Sequence, residues 1–567
     1  MTKQAKRLEV EERYVYNSEI ENCPQCKARL EPQGYYQWRK TVQQLTGVIH
    51  IAHRASECVN PECNRVGQKY PSARAQSVTL PGCTYGRDVI AQIGWWRERQ
   101  YWDRVQIHQA LQQQIQISAR EIDYLYTRYE VLRGCLEQLK TPALYQLAKE
   151  RGGLILTLDG LSPEGASEQL WVVREVQLNL TLVSAWLSKV DHLSLAALFK
   201  PVLALNLPIL GTVSDKQPCL ENALNLVLSS VPHMWCQSHY LGNAMDPIYA
   251  RDLALKTELR QALRKEIRPI VAEIPPQNED ITGCGPQWVS GALVDQPQPP
   301  QVDEPVPIEP VQVVRELVSD LKQALGRKGR APFNLSGVPM FADLLSIQNT
   351  MAECLQLAEE PHLRSLYTTL SRTLPGYATP FTEVEQAQTW VKDIAAVLDT
   401  PPITQNAPGP GADAVALQVA HCLGTLADQS KLSPWLTQMR QDLFALTDRY
   451  WTGLFPCYAI PGLPRTNNAL ESLFGQTKRQ FRRRLGINQL REPILRHAAW
   501  TILQIDASSP SELQQELDRV QVAHYQRERK RYDQRQEQFR HRHRWRHQRE
   551  AVLKKRITDW KQATLKC

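Results

Sequence analysis

Residues 153–160 read Gly-Leu-Ile-Leu-Thr-Leu-Asp-Gly, an apolar run that ends on an acidic residue and a glycine. A short apolar run bounded by turn residues predicts a buried β-strand. Six further elements follow in the order strand, strand, helix, strand, helix, strand, at 169–176, 180–190, 193–204, 208–213, 220–231 and 233–241. Antiparallel strands followed by crossover units predict one mixed sheet flanked by helices.

Two of these strands end on an aspartate. Asp159 closes the first strand, and Asp215 follows the strand at 208–213. If the two strands are neighbours, the carboxylates lie side by side and repel each other, and a hard divalent cation relieves that repulsion. A third carboxylate, on a helix packed against the sheet, would complete a site for two Mg²⁺ ions. Such a pair stabilises the attacking and leaving oxygens in phosphoryl transfer.

Glu471 is the best candidate for the third carboxylate. It belongs to Thr466-Asn-Asn-Ala-Leu-Glu471, where Asn467 or Asn468 is a favourable N-cap for a helix over 469–484. Five basic residues follow in this helix, where a nucleic-acid backbone would need them: Lys478, Arg479, Arg482, Arg483 and Arg484.

Each acid also has a purely structural interpretation. Aspartate is common where strands end, because turns favour it. Glu471 follows Asn468 by three residues, which fits a capping box or the favourable charge at a helix N-terminus. The combination of two strand-end aspartates, a helical glutamate and nearby arginines favours the functional interpretation.

The N-terminal region contains two cysteine pairs. Cys23-Pro-Gln-Cys26 and Cys58-Val-Asn-Pro-Glu-Cys63 flank a strand-like stretch with Leu45-Thr-Gly47 at a hairpin turn. Four thiolates suit a closed tetrahedral Zn²⁺ site, and bound metal would supply much of the folding energy of so small a region. The sequence therefore predicts a structural zinc ribbon. The alternative is a set of unligated buried cysteines.

Two further features admit more than one interpretation. Ser118-x-x-Glu121 is a capping box that precedes a helical pattern, so 84–150 is either a helix-turn-helix or a helical connector. Cys236-Gln-Ser-His239 is either a zinc pair without evident partners, a pair that orients the acidic site or touches DNA, or a buried cysteine and histidine without such a role.

Positive charge is concentrated near the C-terminus. Residues 526–556 contain thirteen Lys or Arg and four Asp or Glu, whereas the whole chain of 567 residues carries a net charge of +8. A basic run with interleaved aromatic residues attracts polyanions, although a solvated helix is the alternative. The candidate DNA contacts in this run are Arg540, Arg542, Arg544 and Arg546.

Composition and patterning suggest several domains in a reducing compartment. The chain is 42% hydrophobic, lacks an apolar run long enough to span a membrane, and has no signal-peptide pattern. Thirteen cysteines without an export signal indicate a cytoplasmic protein. The predicted regions are 1–75 zinc ribbon, 84–150 helical, 151–245 first core part, 246–460 helical insertion with a Pro-rich linker at 275–310, 461–510 last core part, and 511–567 basic helix.

Together these residues resemble DDE transposases of bacterial insertion sequences, in the broad group that includes Mutator-like elements. The similarity is carried by four motifs: Leu154-Ile-Leu-Thr-Leu-Asp159-Gly160, Val213-Ser-Asp215, Cys236-x-x-His239, and Thr466-Asn-Asn-x-x-Glu471 with its basic helix. The Thr-Asn-Asn-x-x-Glu string is the most specific of them. The resemblance covers motifs and their order over most of the chain, but 275–410 has no counterpart.

The resemblance implies an α/β ribonuclease-H-like core with a large α-helical insertion before its last acid. Asp159, Asp215 and Glu471 would bind two Mg²⁺ (or Mn²⁺) ions, and Cys236, His239, Asn467 and Asn468 would support the site. The partners implied are double-stranded DNA, as terminal inverted repeats and target, and a second copy of the chain at least. A bacterial, nucleoid-associated location and no membrane contact follow from that activity.

Two other functions remain open on the sequence alone. One is a catalytically inactive, transposase-derived DNA-binding protein. The other is a ribonuclease-H-like nuclease for repair or RNA processing. The presence of all three acids argues against the first, and the N-terminal cysteine region and interrupted core argue against the second.

Overall fold

The computed structural model describes residues 8–274, 309–402, 409–503 and 505–564. The chain divides into two compact units: the first combines Met1–Met234 with Gly462–Cys567, and the second is Trp235–Pro461. Nearly all of the predicted Pro-rich linker at 275–310 lies outside the described residues. Within the described ranges, no helix has both the length and the apolar character needed to cross a bilayer.

The first unit begins with two small sheets. Their strands are β1 (Glu12–Tyr16), β2 (Glu31–Pro32), β3 (Trp38–Gln44), β4 (Gly47–His53), β5 (Ser56–Glu57) and β6 (Lys69–Tyr70). One sheet has the order β1-β4-β3 and the other β2-β5-β6. The pairing of Gln44 with Gly47 confirms the predicted hairpin, and Gly47 has φ +144°, a conformation that other residues rarely adopt.

Five helices follow: α1 (Ala73–Val78), α2 (Arg87–Arg99), α3 (Arg104–Leu111), α4 (Ala119–Leu139) and α5 (Thr141–Arg151). The capping box before α4 is confirmed, because the Glu121 N–H donates to Ser118 Oγ at 3.3 Å and the Ser118 N–H donates to the Glu121 carboxylate at 2.8 Å. About half of the residues of α4 are buried, whereas Arg120 and Tyr124 near its start are exposed. The helix-turn-helix stays a prediction.

A five-stranded sheet forms the centre of the first unit. Its elements in chain order are β7 (Leu154–Leu161), β8 (Gln169–Glu175), β9 (Leu180–Leu187), α6 (His192–Leu198), α7 (Lys200–Leu203), β10 (Ile209–Ser214), α8 (Pro218–Val227) and β11 (His233–Trp235). The strand order is β11-β10-β7-β8-β9. β8 is antiparallel to both β7 and β9, and β10 is parallel to β7. The predicted mixed sheet is thus confirmed.

The described part of the second unit is helical. Its α-helices are α9 (Gln237–Glu273), α10 (Pro310–Leu325), α11 (Gly337–Leu357), α12 (Pro361–Thr373), α13 (Pro375–Leu398), α14 (Ala412–Ala427) and α15 (Pro434–Tyr450). The strand predicted at 233–241 is wrong beyond Trp235, and the helical insertion starts at Gln237 rather than 246. The reason is that Tyr240, Ala244 and Ile248 are buried at helical spacing along α9.

Five C-terminal helices complete the first unit: α16 (Asn468–Leu485), α17 (Arg491–Thr501), α18 (Pro510–Asp518), α19 (Val522–His547) and α20 (Arg549–Thr564). The prediction of one basic helix from 511 is wrong, because three helices occupy this stretch. Leu513, Leu517 and Tyr532 pack into the core. Beyond Phe539, α19 is exposed.

The two faces of the central sheet are covered by different helices. Leu154, Leu156 and Leu158 of β7 belong to the apolar cluster that includes α6 and α8. Leu161 belongs to a second cluster that includes α4, α16 and α17. Because side chains alternate along a strand, Thr157 and Asp159 share the face on which α16 packs.

Glu137 on α4 has a buried carboxylate in this core. Its two carboxylate oxygens are buried and have no hydrogen-bond partner among the described residues, and burial raises its pKa to about 7. In the unfolded chain this carboxyl releases its proton near pH 4.5. The free energy of unfolding therefore falls by about 2–3 kcal/mol as the pH rises from 4.5 to 7.

We therefore expect Glu137→Gln to stabilise the protein at pH 8 and to have no effect at pH 4, where both side chains are neutral. The urea midpoint at the two pH values measures this difference. Glu150→Gln, on the exposed side of α5, is the matched control and should change neither midpoint. A midpoint for Glu137→Gln that is unchanged or lower at pH 8 would contradict the expectation.

Candidate functional site

The two aspartates stand at the same level on neighbouring parallel strands. Thr157 of β7 pairs with Val213 of β10, and Asp159 and Asp215 each lie two residues further along. Both side chains are half-buried, and the Asp159 carboxylate accepts the Gly160 N–H at 2.7 Å. The adjacency predicted from two strand-end aspartates is confirmed at the level of the backbone.

Asn467 attaches the start of α16 to β7. Its Nδ2 donates to the Leu158 carbonyl at 3.1 Å, and its Oδ1 accepts the Thr157 hydroxyl. Asn467 is 1% exposed, and its side chain makes no cap hydrogen bond although it holds the N-cap position. Its amide group therefore binds β7 rather than the backbone N–H groups of its own helix.

This attachment fixes the start of the helix that carries the third acid beside β7. The Glu471 N–H donates to the Asn467 carbonyl at 3.3 Å, so Glu471 lies one turn from the residue bound beside Asp159. Glu471 is exposed, as is the neighbouring Asn468. Glu471 therefore begins a helix whose first turn is fixed next to the carboxyl end of β7.

The three acids do not form a cage around a single ion. Oxygens that bind one Mg²⁺ lie at most about 4.2 Å apart. The ligand atoms of Asp159, Asp215 and Glu471 do not all lie within 4.8 Å of one another, although all three residues are described. Two ions about 3.5–4 Å apart need a wider spread of ligands. The two-ion arrangement is the one to test.

The basic residues of α16 point in different directions. At about 100° per residue, Lys478 and Arg482 lie within about 20° of the Glu471 direction. Arg479 and Arg483 are turned away from it by about 80° and 120°. Both are exposed, as is Arg482, whereas Lys478 is half-buried.

Arg484, predicted to contact DNA, lies inside the protein with 8% of its side chain exposed. Its guanidinium donates to the Tyr126 hydroxyl and lies 3.9 Å from the Glu130 carboxylate. Glu130 also accepts the Tyr532 hydroxyl at 2.9 Å and lies 3.2 Å from His497. Arg484 thus anchors the end of α16 to α4, α17 and α19 and offers little access to a phosphate.

The C-terminal arginines remain at the surface but are mostly paired. Arg542 lies 3.0 Å from Glu168, and Arg540 lies 3.0 Å from Glu537, to which Arg544 also binds. About half of each of these three side chains is exposed. Arg546 is exposed as well. Pairs this exposed are weak and exchange readily with other anions.

The four N-terminal cysteines form a cluster that can hold a metal ion. Their sulfurs all lie within 4.8 Å of one another, with Sγ–Sγ distances of 3.9 Å for Cys23–Cys63 and 3.8 Å for Cys26–Cys58. These separations are too long for disulfides. The cluster is beside the β2-β5-β6 sheet, with Leu30 and Tyr70, rather than on the β3-β4 hairpin.

Tight turns aim backbone N–H groups at these sulfurs. The Arg65 N–H donates to Cys63 Sγ at 3.3 Å, and Lys27 has φ +60° in the turn after Cys26. A backbone hydrogen bond from Cys26 lowers the pKa of Cys23, and burial raises that of Cys58. Burial of uncharged thiols without metal would leave such donors with weak acceptors. The donor set fits a structural metal site.

Cys236 and His239 lie at the start of α9 in the second unit. Cys236 is buried at the N-cap position, and its carbonyl accepts the Tyr240 N–H at 3.1 Å. His239 is half-buried in the first turn. The predicted supporting pair is therefore on a helix rather than on a strand.

Thr157 is a positioning residue that the sequence patterns did not reveal. Its hydroxyl is the partner of Asn467, and it is the one polar side chain in the aliphatic run before Asp159.

No protein-family model matches the chain, and no curated protein sequence matches it. The assignment of a function rests on the geometry described above.

We expect Asn467→Asp to destabilise the first unit by about 2–4 kcal/mol, since it buries a charge and removes the donor to the Leu158 carbonyl. Thr157→Val, which removes only the hydroxyl, should cost about 1 kcal/mol. The urea midpoint measures both. Asn468→Asp at the exposed neighbouring position is the control and should have almost no effect. Equal effects at 467 and 468 would contradict this role.

Proposed function

We propose that this chain is a DDE-type DNA transposase of an insertion sequence, which cleaves DNA at the element ends and transfers the resulting strands. Its central sheet would be a ribonuclease-H-like core interrupted by the helical second unit. The observation that carries the proposal is the placement of the acids. Asp159 and Asp215 share a level on parallel neighbours, and Asn467 attaches the Glu471 helix beside them.

The strand order supports the same proposal. Three consecutive antiparallel strands and a fourth parallel to the first place both aspartates near the middle of the sheet. The last acid arrives from a distant part of the chain, after the Trp235–Pro461 unit. A nuclease assembled this way requires a contact that fixes the returning helix, and Asn467 supplies it.

Asp159, Asp215 and Glu471 would hold two Mg²⁺ (or Mn²⁺) ions. When bound, these ions would stabilise the negative charge on the phosphate and on the leaving oxygen. In the first step water adds to phosphorus while the P–O3′ bond breaks and a 3′-hydroxyl is released. In the second step that hydroxyl adds to a target phosphate and a target 3′-oxygen departs. The protein forms no covalent bond, so its residues act by positioning.

The proposal assigns zinc to the four-cysteine cluster. Four sulfurs about 2.3 Å from one Zn²⁺ ion are separated by about 3.8 Å along the edges of a tetrahedron. The Cys23–Cys63 and Cys26–Cys58 distances of 3.9 and 3.8 Å support this assignment. Zinc would stabilise the N-terminal sheets that, with α3 and α4, bind the terminal inverted repeats.

Double-stranded DNA is the proposed partner, and two ends held together imply at least a homodimer in the working complex. Lys478 and Arg482 lie on the Glu471 side of α16, where they can hold the backbone near the acids. The exposed arginines at 540–546 suit flanking or target DNA. Such an activity places the protein in the bacterial cytoplasm, at the nucleoid.

The test is a cleavage assay with the purified chain, Mg²⁺ and a plasmid carrying the DNA that flanks the gene on both sides. We expect nicks with free 3′-hydroxyls at the element ends, joined products with target DNA, and neither when Mg²⁺ is left out. Glu471→Gln, an exposed change that should leave the fold intact, is the inactive control.

Other outcomes identify the alternatives. Tight binding to the ends without cleavage by the unaltered protein would favour a non-catalytic DNA-binding protein. Cleavage of the RNA strand of a hybrid, with the element ends left intact, would favour a nuclease of RNA processing or repair.

A further inference from the structure

A polar cavity of about 440 Å³ lies in the first unit between α16 and the segment that follows α2. Its lining includes Gln476, Arg479, Gln480 and Arg483 of α16, together with Arg99 and Tyr101. The cavity therefore uses residues on a different side of α16 from Glu471. Its far end, at Arg483, is about 18 Å along the helix axis from the acid.

The charge in this cavity is positive. Glu98, the carboxylate in its wall, is bound to buried Arg133 at 2.5 Å, and Asp506 at its rim is bound to Lys140 at 2.7 Å. Among the described residues, no ion pair joins Arg479 or Arg483 to a carboxylate. The cavity therefore presents cationic and amide donors to an anion.

Two of its arginines are already oriented. The Arg99 guanidinium donates to the Ile505 carbonyl at 2.9 Å, which holds it at the wall. The Arg483 guanidinium lies 5.3 Å from the centre of the Tyr101 ring, in a cation–π arrangement. Guanidinium groups fixed in this way match the oxygens of phosphate and lose less entropy when they bind it.

The backbone at Tyr101 gives an independent indication. Tyr101 has φ +58°, in the left-handed region that bulky residues rarely occupy, at a cost of about 1–2 kcal/mol. Strain of this kind persists where the surroundings fix it, and it is concentrated at ligand sites. Here it places the ring against Arg483 at the cavity wall.

We propose that this cavity binds a backbone phosphate of DNA, as a second contact point separate from the one at Glu471. The inference rests on the proposed function, because it takes DNA as the partner. It divides the basic residues of α16 by role: Lys478 and Arg482 act beside the acids, while Arg479 and Arg483, with Arg99, hold the backbone elsewhere. DNA would thus touch two sides of one helix.

The test compares salt-dependent DNA binding by the full-length protein and two double variants. The probe is a fluorescent duplex of the element end, and binding is measured in buffer without Mg²⁺ or chelator, at KCl concentrations from 50 to 300 mM. Each neutralised phosphate contributes about 0.9 to the slope of log K against log salt. We expect Arg479→Gln with Arg483→Gln to lower affinity at 50 mM about tenfold and to reduce that slope by about 1–2.

A matched pair, Lys189→Gln with Lys200→Gln, removes the same charge from exposed positions away from α16 and should leave affinity and slope nearly unchanged. An unchanged slope for the Arg479/Arg483 pair would overturn the proposal. If Lys478→Gln with Arg482→Gln weakens binding while the Arg479/Arg483 pair does not, the cavity assignment fails and the nuclease proposal stands.

A calorimetric titration with inorganic phosphate separates the remaining source of the same chemistry. If the unaltered protein binds free phosphate, and the Arg479/Arg483 pair abolishes that binding without altering the DNA slope, the cavity takes a free ion and the DNA assignment is overturned. Cleavage activity is not used in any of these measurements. A negative cleavage assay therefore leaves their result interpretable.

Discussion

Asp159→Asn is expected to lower the rate of Mg²⁺-dependent DNA cleavage by at least about a thousandfold, equivalent to about 4 kcal/mol of transition-state stabilisation. The substitution keeps the shape of the side chain but removes the charge that would hold the ions. Single-turnover cleavage of the element-end duplex, measured across Mg²⁺ concentrations, gives the rate. Saturating Mg²⁺ should not restore it.

The matched control for this change is Asp533→Asn on α19, where the carboxylate lies 2.9 Å from Arg529 and is 46% exposed. It should cleave as the unaltered protein does. Asp159→Asn should also keep its DNA affinity in buffer without Mg²⁺, because the proposed phosphate contacts are made by other residues. Normal cleavage by Asp159→Asn and by Glu471→Gln would remove the basis for the three-acid site.

The central sheet was predictable because its information is local. The apolar runs that end at Asp159 and Asp215 are strand patterns in their own right, and the order of elements restricts how such strands can pair. The parallel pairing of Thr157 with Val213 then follows from topology. The first unit's sheet and the adjacency of its aspartates could therefore be read from one sequence.

What could not be predicted depends on contacts between distant parts of the chain. Asn467 reads as a helix cap, yet its amide binds residues about 310 positions earlier, at Thr157 and Leu158. Arg484 reads as one more cation in a basic run, and only the fold shows that it faces Glu130. Local patterns do not reveal which polar side chain is used for tertiary contacts.

The C-terminal stretch shows the same limit. Its charge density suggests a solvated helix, but Tyr525 and Tyr532 are buried and Trp500 donates to Glu528 at 2.7 Å. A few aromatic residues at helical spacing are enough to bury one side of a highly charged helix. Long basic side chains permit this because they can extend away from the core and keep their charged groups in water. Truncation before Tyr525 would therefore remove core residues together with the basic end.

Removing the metal proposed for the four-cysteine cluster is expected to unfold the sheet β2-β5-β6. This sheet has few buried apolar side chains around the cysteines, namely Leu30 and Tyr70. Structural zinc in comparably small domains contributes about 10–16 kcal/mol at pH 7. Hydrogen exchange with mass spectrometry should show lost protection in β5 and β6 after chelation, while peptides of the sheet β7–β9 keep theirs.

Cys58→Ser should reproduce this loss without a chelator, since a serine hydroxyl is a poor substitute for a thiolate ligand. Elemental analysis should find one zinc ion in the unaltered chain, none in Cys58→Ser, and one in Cys354→Ser, which changes a half-buried cysteine outside the cluster. The metal content tests whether the cluster binds zinc, and hydrogen exchange tests whether bound zinc stabilises the sheet. Full protection of β5 and β6 in a metal-free chain would mean that packing alone holds the sulfurs 3.8–3.9 Å apart, and the cysteines would then be buried thiols without a metal.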